Sequence, residues 1–159
     1  MVLVAPAAYP DKGENKLIRA AMNAPIIGDL GLLLGKPLVA RRMLKQALAQ
    51  AFYPQAVPNN YLKIASSLWL GKKQLKAYIE DEWTLNDSLR RMSQQYSDIK
   101  VPVVIITGDE DKIVSAKENA YRLQTVIPGS QLIKLKNTGH EIPQTHPESI
   151  YSALILISQ

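Results

Sequence analysis

A chain of 159 residues, 47% of them hydrophobic and none of them cysteine, is long enough to bury a core, and it excludes disulfides, thiolate metal sites and a cysteine nucleophile. The formal net charge of +5 is dispersed: Arg41, Arg42 and Lys45, then Lys72, Lys73 and Lys76, are interleaved with apolar residues at helical spacing, which marks solvated helix faces and argues against a nucleic-acid partner. No apolar run approaches the roughly 20 residues of a membrane span, and the apolar residues 1–8 have no basic segment before them, so the expectation is a soluble, cytoplasmic protein without a signal peptide.

The first predicted element is a short strand, Val2-Leu3-Val4-Ala5. Residues 23–97 then have a helical texture, punctuated by Pro25, Pro37, Pro54 and Pro58. Leu30, Leu33 and Leu34, then Ala40, Leu44, Ala47 and Leu48, then Tyr61, Ile64, Ala65 and Leu68 form successive stripes, and Leu85, Leu89, Met92 and Tyr96 a last one. Such a length exceeds what a crossover between strands requires, and it reads as an inserted lobe.

The next strand, residues 103–107, is apolar without alternation between Pro102 and Gly108, the pattern of a strand covered on both faces in a parallel sheet. Residues 115–126 repeat Ala116, Ala120, Leu123 and Val126 along one face, with Ser115 near the N-cap and Pro128-Gly129 beyond the end. A third strand, residues 131–136, alternates and is expected to be less central. Strand, helix and strand compose a βαβ unit with parallel strands and a right-handed crossover. Residues 147–157 read as a closing helix, with Pro147 in its first turn and Ile150, Leu154 and Ile157 on one face. The expected class is α/β, with three parallel strands, flanking helices and an inserted all-helical lobe. Its three parts are residues 1–22, 23–97 and 98–159.

The second strand ends in Gly108-Asp109-Glu110-Asp111 and the third leads to Asn137-Thr138-Gly139-His140. Parallel strands send both loops to the carboxyl edge of the sheet, where open α/β proteins place their sites. If the strands are neighbours, about 4.8 Å apart, a carboxylate and an imidazole just past their ends can meet. A carboxylate accepting the imidazole N–H fixes the ring's tautomer and leaves the other nitrogen free to take a proton. Gly108 and Gly139 would permit tight turns that a Cβ obstructs. On the residues alone, Asp109 and Glu110 compete with Asp111 for the role of acid. No metal-ligand spacing surrounds His140 or His146, and no phosphate-cradling loop appears, so neither a metal nor another cofactor is expected.

Residues 99–114, from Ile99-Lys100-Val101-Pro102 through Gly108-Asp109-Glu110-Asp111 to Val114, followed by Thr138-Gly139-His140, resemble the closing part of the α/β-hydrolase superfamily. Ile127-Pro128-Gly129-Ser130 matches the helix-to-strand turn there, and His146-Pro147-Glu148 the start of the last helix. Val2 to Ala7 looks like the sixth strand, and the helical lobe stands where these enzymes carry a cap. The resemblance implies Asp111 as triad acid and His140 as base, with Glu141 and His146 structural; Thr145 stands where relatives often have an acidic residue. Trp69, Tyr78 and Trp83 are candidates for an acyl or alkyl pocket, with core packing as the alternative.

The family's Gly-x-Ser-x-Gly elbow and oxyanion loops have no counterpart here: no pair among the eight glycines brackets a serine at that spacing. The first reading is therefore a portion of a serine hydrolase acting on a small apolar, carboxylester-type substrate, truncated before its sixth strand and inactive alone. Its partner would be the missing N-terminal half. A second reading is a non-catalytic module that binds a ligand or self-associates through its open strand edge. In a third, an aspartate nucleophile in the missing half makes a dehalogenase or epoxide hydrolase.

Overall fold

The computed structural model describes residues 1–10 and 37–158. Within them, β1 (Val2–Val4), β2 (Val104–Gly108) and β3 (Gln131–Leu135) form one parallel sheet in the order β1-β2-β3. Val4 lies opposite Ile106 in the first pair, and Gly108 opposite Leu135 in the second. Every residue of β2 is buried, as expected of the central strand, whereas β1 and β3 are covered only in part.

Two apolar layers follow from the alternation of β2. Ile105 faces a cluster with Val103, Ala120, Leu123 and Ile127, while Val104 and Ile106 face Ala5, Ile142 and Ala153 on the other side. The connection from β2 to β3 opens with one wide turn (Lys117–Tyr121) that runs into α4 (Arg122–Val126). Ser115 caps it: its Oγ accepts the Glu118 N–H at 3.3 Å. Asn119 in this connection reaches across the layer, where its Oδ1 accepts the N–H groups of Ala8 at 2.8 Å and Tyr9 at 3.1 Å. Tyr96 donates its hydroxyl to the Ala8 carbonyl at 2.8 Å and meets the Tyr9 ring edge-on. These contacts tie the segment after β1 to the crossover through Asn119 and to the stretch before β2 through Tyr96. Asn119→Ala strands two backbone donors beside a buried tyrosine, and a loss of about 1–3 kcal/mol in urea unfolding is the expected cost.

Between β1 and β2 the described residues form α1 (Pro37–Phe52), α2 (Tyr61–Trp69) and α3 (Lys72–Met92). Leu48, Phe52 and Ala65 make a small core, with Leu44, Val57, Tyr61 and Leu62 packed on it. The stripes are narrower than the sequence predicts: Ala47, Ile64, Leu68, Leu85 and Met92 are exposed, and Leu62 takes the place of Ile64. A helix that packs against only part of a bundle buries a narrower row of side chains than the broad face it presents in a full one. The predicted Leu30, Leu33 and Leu34 stripe lies outside the described residues.

Past β3, α5 (Ile142–Thr145) leads into α6 (Pro147–Ile157), the predicted closing helix. Its contact face is Ile150, Ala153 and Ile157; Leu154 instead points outward with Tyr151, Ile155 and Leu156. No helix among the described residues is long and apolar enough to cross a membrane.

Candidate active site

The loops after β2 and β3 leave the same edge of the sheet and interlock. Asp109 donates its N–H to the Leu135 carbonyl, Glu110 donates its own to the Thr138 carbonyl, and the Asp109 carboxylate accepts the Thr138 N–H at 3.3 Å. Gly108 is required by this closeness: a Cβ there would stand 2.2 Å from the Thr138 carbonyl oxygen. Gly139 has the same kind of role, facing the Tyr53 carbonyl oxygen. Neither glycine has the left-handed φ of a tight turn, which among the described glycines belongs to Gly129. Close approach of backbone, not turn geometry, is what excludes a side chain at Gly108 and Gly139.

Asp111 and His140 meet across this interlock. The Asp111 Oδ2 lies 2.9 Å from the His140 Nδ1, with 1% of the aspartate side chain exposed and 28% of the imidazole. The other carboxylate oxygen accepts the N–H groups of Ile113 at 2.8 Å and Val114 at 2.9 Å. Both oxygens are thus committed, which fixes the carboxylate's plane and so the ring's direction. Burial pushes the Asp111 carboxyl up, but the bonds from His140, Val114 and Ile113 outweigh it and hold the group below its ordinary value. The bond to Asp111 holds His140 above its ordinary value against the opposing effect of burial. The His140 Nε2 has no hydrogen bond among the described residues.

The two competing acids have other work. Asp109 is the clasp on Thr138, and Glu110 pairs with Lys112 at 3.2 Å on the surface. His146 and Thr138 buttress the loop from behind: the Thr138 hydroxyl donates to the Lys136 carbonyl at 2.9 Å, while the His146 Nδ1 lies 3.0 Å from the Thr145 hydroxyl. Thr145 itself donates to the Glu141 carbonyl. Of the pocket candidates, Trp69 ends α2 with 54% of its surface exposed. Tyr78 and Trp83 belong to α3, and their side chains lie outside the described residues. Arg41, Arg42 and Lys45 are exposed, as predicted, and with Lys63 they border an open groove of about 760 Å³ apart from the acid and base loops. No group of three or more potential metal ligands occurs among the described residues.

No protein-family model and no curated protein matches the sequence. Solved structures do match. An α/β-hydrolase fold protein from Burkholderia ambifaria superposes on 96% of this chain with a TM-score of 0.73 at 19% identity, the match covering 54% of that protein. An esterase from Exiguobacterium antarcticum matches 99% of this chain and 56% of its own, with a TM-score of 0.62 at 17% identity. The carboxylesterase CesB from Bacillus subtilis matches 98% and 50%, with a TM-score of 0.59 at 15% identity. The chain has part of the α/β-hydrolase fold. It spans about half the length of these three proteins, consistent with the C-terminal portion of the fold.

Sequence reasoning did not find the contribution of residues 51–55 to the site. Ala51 accepts the N–H groups of both His140 and Glu141 through its carbonyl, at 2.9 and 3.1 Å, and Gln55 donates Nε2 to the Asn137 carbonyl. Backbone carbonyls carry no residue signature, so no pattern in the sequence announces them.

Proposed function

We propose that this chain supplies the acid and general base of a serine hydrolase that cleaves carboxylic esters, its nucleophile and oxyanion hole coming from sequence outside these 159 residues. The observation that carries the reading is the Asp111–His140 pair, a buried carboxylate 2.9 Å from an imidazole whose second nitrogen has no partner among the described residues. In such a site Asp111 orients the ring and stabilises the imidazolium, while the His140 Nε2 takes the nucleophile's proton and returns it to the leaving alcohol. The helical lobe, standing between β1 and β2 in sequence, serves as the cap over the acyl group. The esterase activity named for the Exiguobacterium and Bacillus proteins agrees with this substrate class.

A p-nitrophenyl ester assay tests the proposal. The chain by itself is expected to give negligible turnover, since the oxyanion hole is absent along with the nucleophile. A complementing polypeptide that carries a Gly-x-Ser-x-Gly half should restore hydrolysis, blocked by a serine-directed phosphonate and abolished by His140→Ala. Restored hydrolysis that His140→Ala leaves unchanged would refute the assignment.

A further inference from the structure

We infer that residues 51–55, at the carboxyl end of α1, are the seat that holds the general base against its acid, with Gln55 and Gly139 as positioning residues. The inference rests on the acid-base reading and adds to it a physical link between the helical lobe and the base.

The last turn of a helix leaves carbonyls without intrahelical partners. In α1 one of these, Ala51, accepts both the His140 and the Glu141 N–H, so the His loop caps the helix and the helix holds the loop. The following residues extend the grip. Gly139 packs against the Tyr53 carbonyl so tightly that a Cβ would stand 1.9 Å from its oxygen. The Tyr53 ring lies under Lys112 of the acid loop, with the ammonium 5.0 Å from its centre. Gln55 donates Nε2 to the Asn137 carbonyl at 2.6 Å, at a residue whose φ of +52° sets the bend between β3 and His140.

One five-residue segment therefore touches the base loop on both sides of His140 and the acid loop at Lys112. The Gln55 amide is only half engaged. Its Oε1 is buried without a partner among the described residues, an unfavourable placement, while the Asn137 residue it engages is exposed and open to water. Positional control, rather than strength, is what the amide adds. A lobe that shifts on binding a ligand would carry His140 with it through this segment.

Gln55→Met tests this in the full chain, because it keeps the side chain's bulk and removes the donor. Amide hydrogen exchange at His140 and Glu141 is expected to quicken by about three- to tenfold, the range of one hydrogen bond's net contribution, with β2 amides and the urea midpoint unchanged. The His140 imidazole titration, followed by NMR, moves down toward its ordinary value. Gln55→Asn, one methylene too short to reach Asn137, repeats the measurement if the Met variant misfolds. His140 and Glu141 exchange equal to the wild type in the variants that fold would overturn the inference. Asp111→Asn separates the two claims: a titration unmoved by Asp111→Asn refutes the acid-base pair itself, whereas one moved by Asp111→Asn and unmoved by the Gln55 variants refutes the seat alone.

Discussion

If the proposed assignment holds, Asp111→Asn is expected to lower ester hydrolysis by the complemented enzyme about 10⁴-fold, the scale on which a triad's acid acts when its geometry is kept but its charge is lost. The side chain is 1% exposed and both carboxylate oxygens are engaged, so an amide of the same shape fits the space. Its failure is chemical. An amide oxygen can still accept from Ile113 and Val114, but the NH₂ then faces the His140 Nδ1, selects the wrong tautomer and leaves an imidazolium uncompensated. Kinetics against p-nitrophenyl acetate measures the loss, and a fall of less than tenfold would place the acid elsewhere.

The same substitution has a pH signature. The Asp111 carboxyl lies below its ordinary 3.8, so its contribution to stability is present above 3.8 and is lost as pH falls through the lower folded value. His140 lies above its ordinary 6.5, so its contribution is complete below 6.5 and is lost as pH rises through the higher folded value. Wild type therefore exceeds Asp111→Asn in stability most between about 3.8 and 6.5, and the difference shrinks on either side. Urea unfolding at a series of pH values reads this directly, and the imidazole titration should drop in the variant.

Gly139→Ala is the most disruptive expected substitution for the architecture. Its Cβ would stand 1.9 Å from the Tyr53 carbonyl oxygen and 2.9 Å from that of Ala51, both backbone atoms with no rotamer to escape into. Either α1 lifts from the His loop or the loop parts from β3, and each route breaks the bonds from His140 and Glu141 to Ala51. A cost of about 3 kcal/mol follows, roughly 10 °C in Tm for a chain of this size. Gly129→Ala is the contrasting case: its φ of +69° is strained for alanine, yet nothing stands within 4 Å of the added carbon. About 1 kcal/mol is expected there, with His140 undisturbed. Equal effects of the two on thermal unfolding would show that the lobe and the His loop separate freely.

The order of elements is legible in the chain because it depends on local patterns. An unbroken apolar run between Pro102 and Gly108 has to be a covered strand, and the helical period over residues 115–126 has to return the chain to a parallel neighbour. Those two facts alone bring Asp111 and His140 to one sheet edge. Within the lobe the patterns reach less far, since Ile64, Leu68 and Leu85 have the spacing of core residues and are exposed. Period says which residues share a face; only a neighbour decides whether that face is buried.

By itself, then, the sequence determined the α/β class, the parallel strands and the meeting of one carboxylate with one imidazole. Tertiary structure separated the three candidate acids, of which the resemblance implied Asp111: Asp111 is turned to His140 and Asp109 clasps Thr138 through backbone N–H groups that any sequence possesses, while Glu110 pairs with the Lys112 ammonium. It also decided what holds the base, because the carbonyls of Ala51 and Tyr53 come to the His loop from a helix distant in the chain. Contacts made by main-chain atoms across that separation depend on the packing of elements, and side-chain identity records them only where, as at Gly108 and Gly139, a side chain has to be missing.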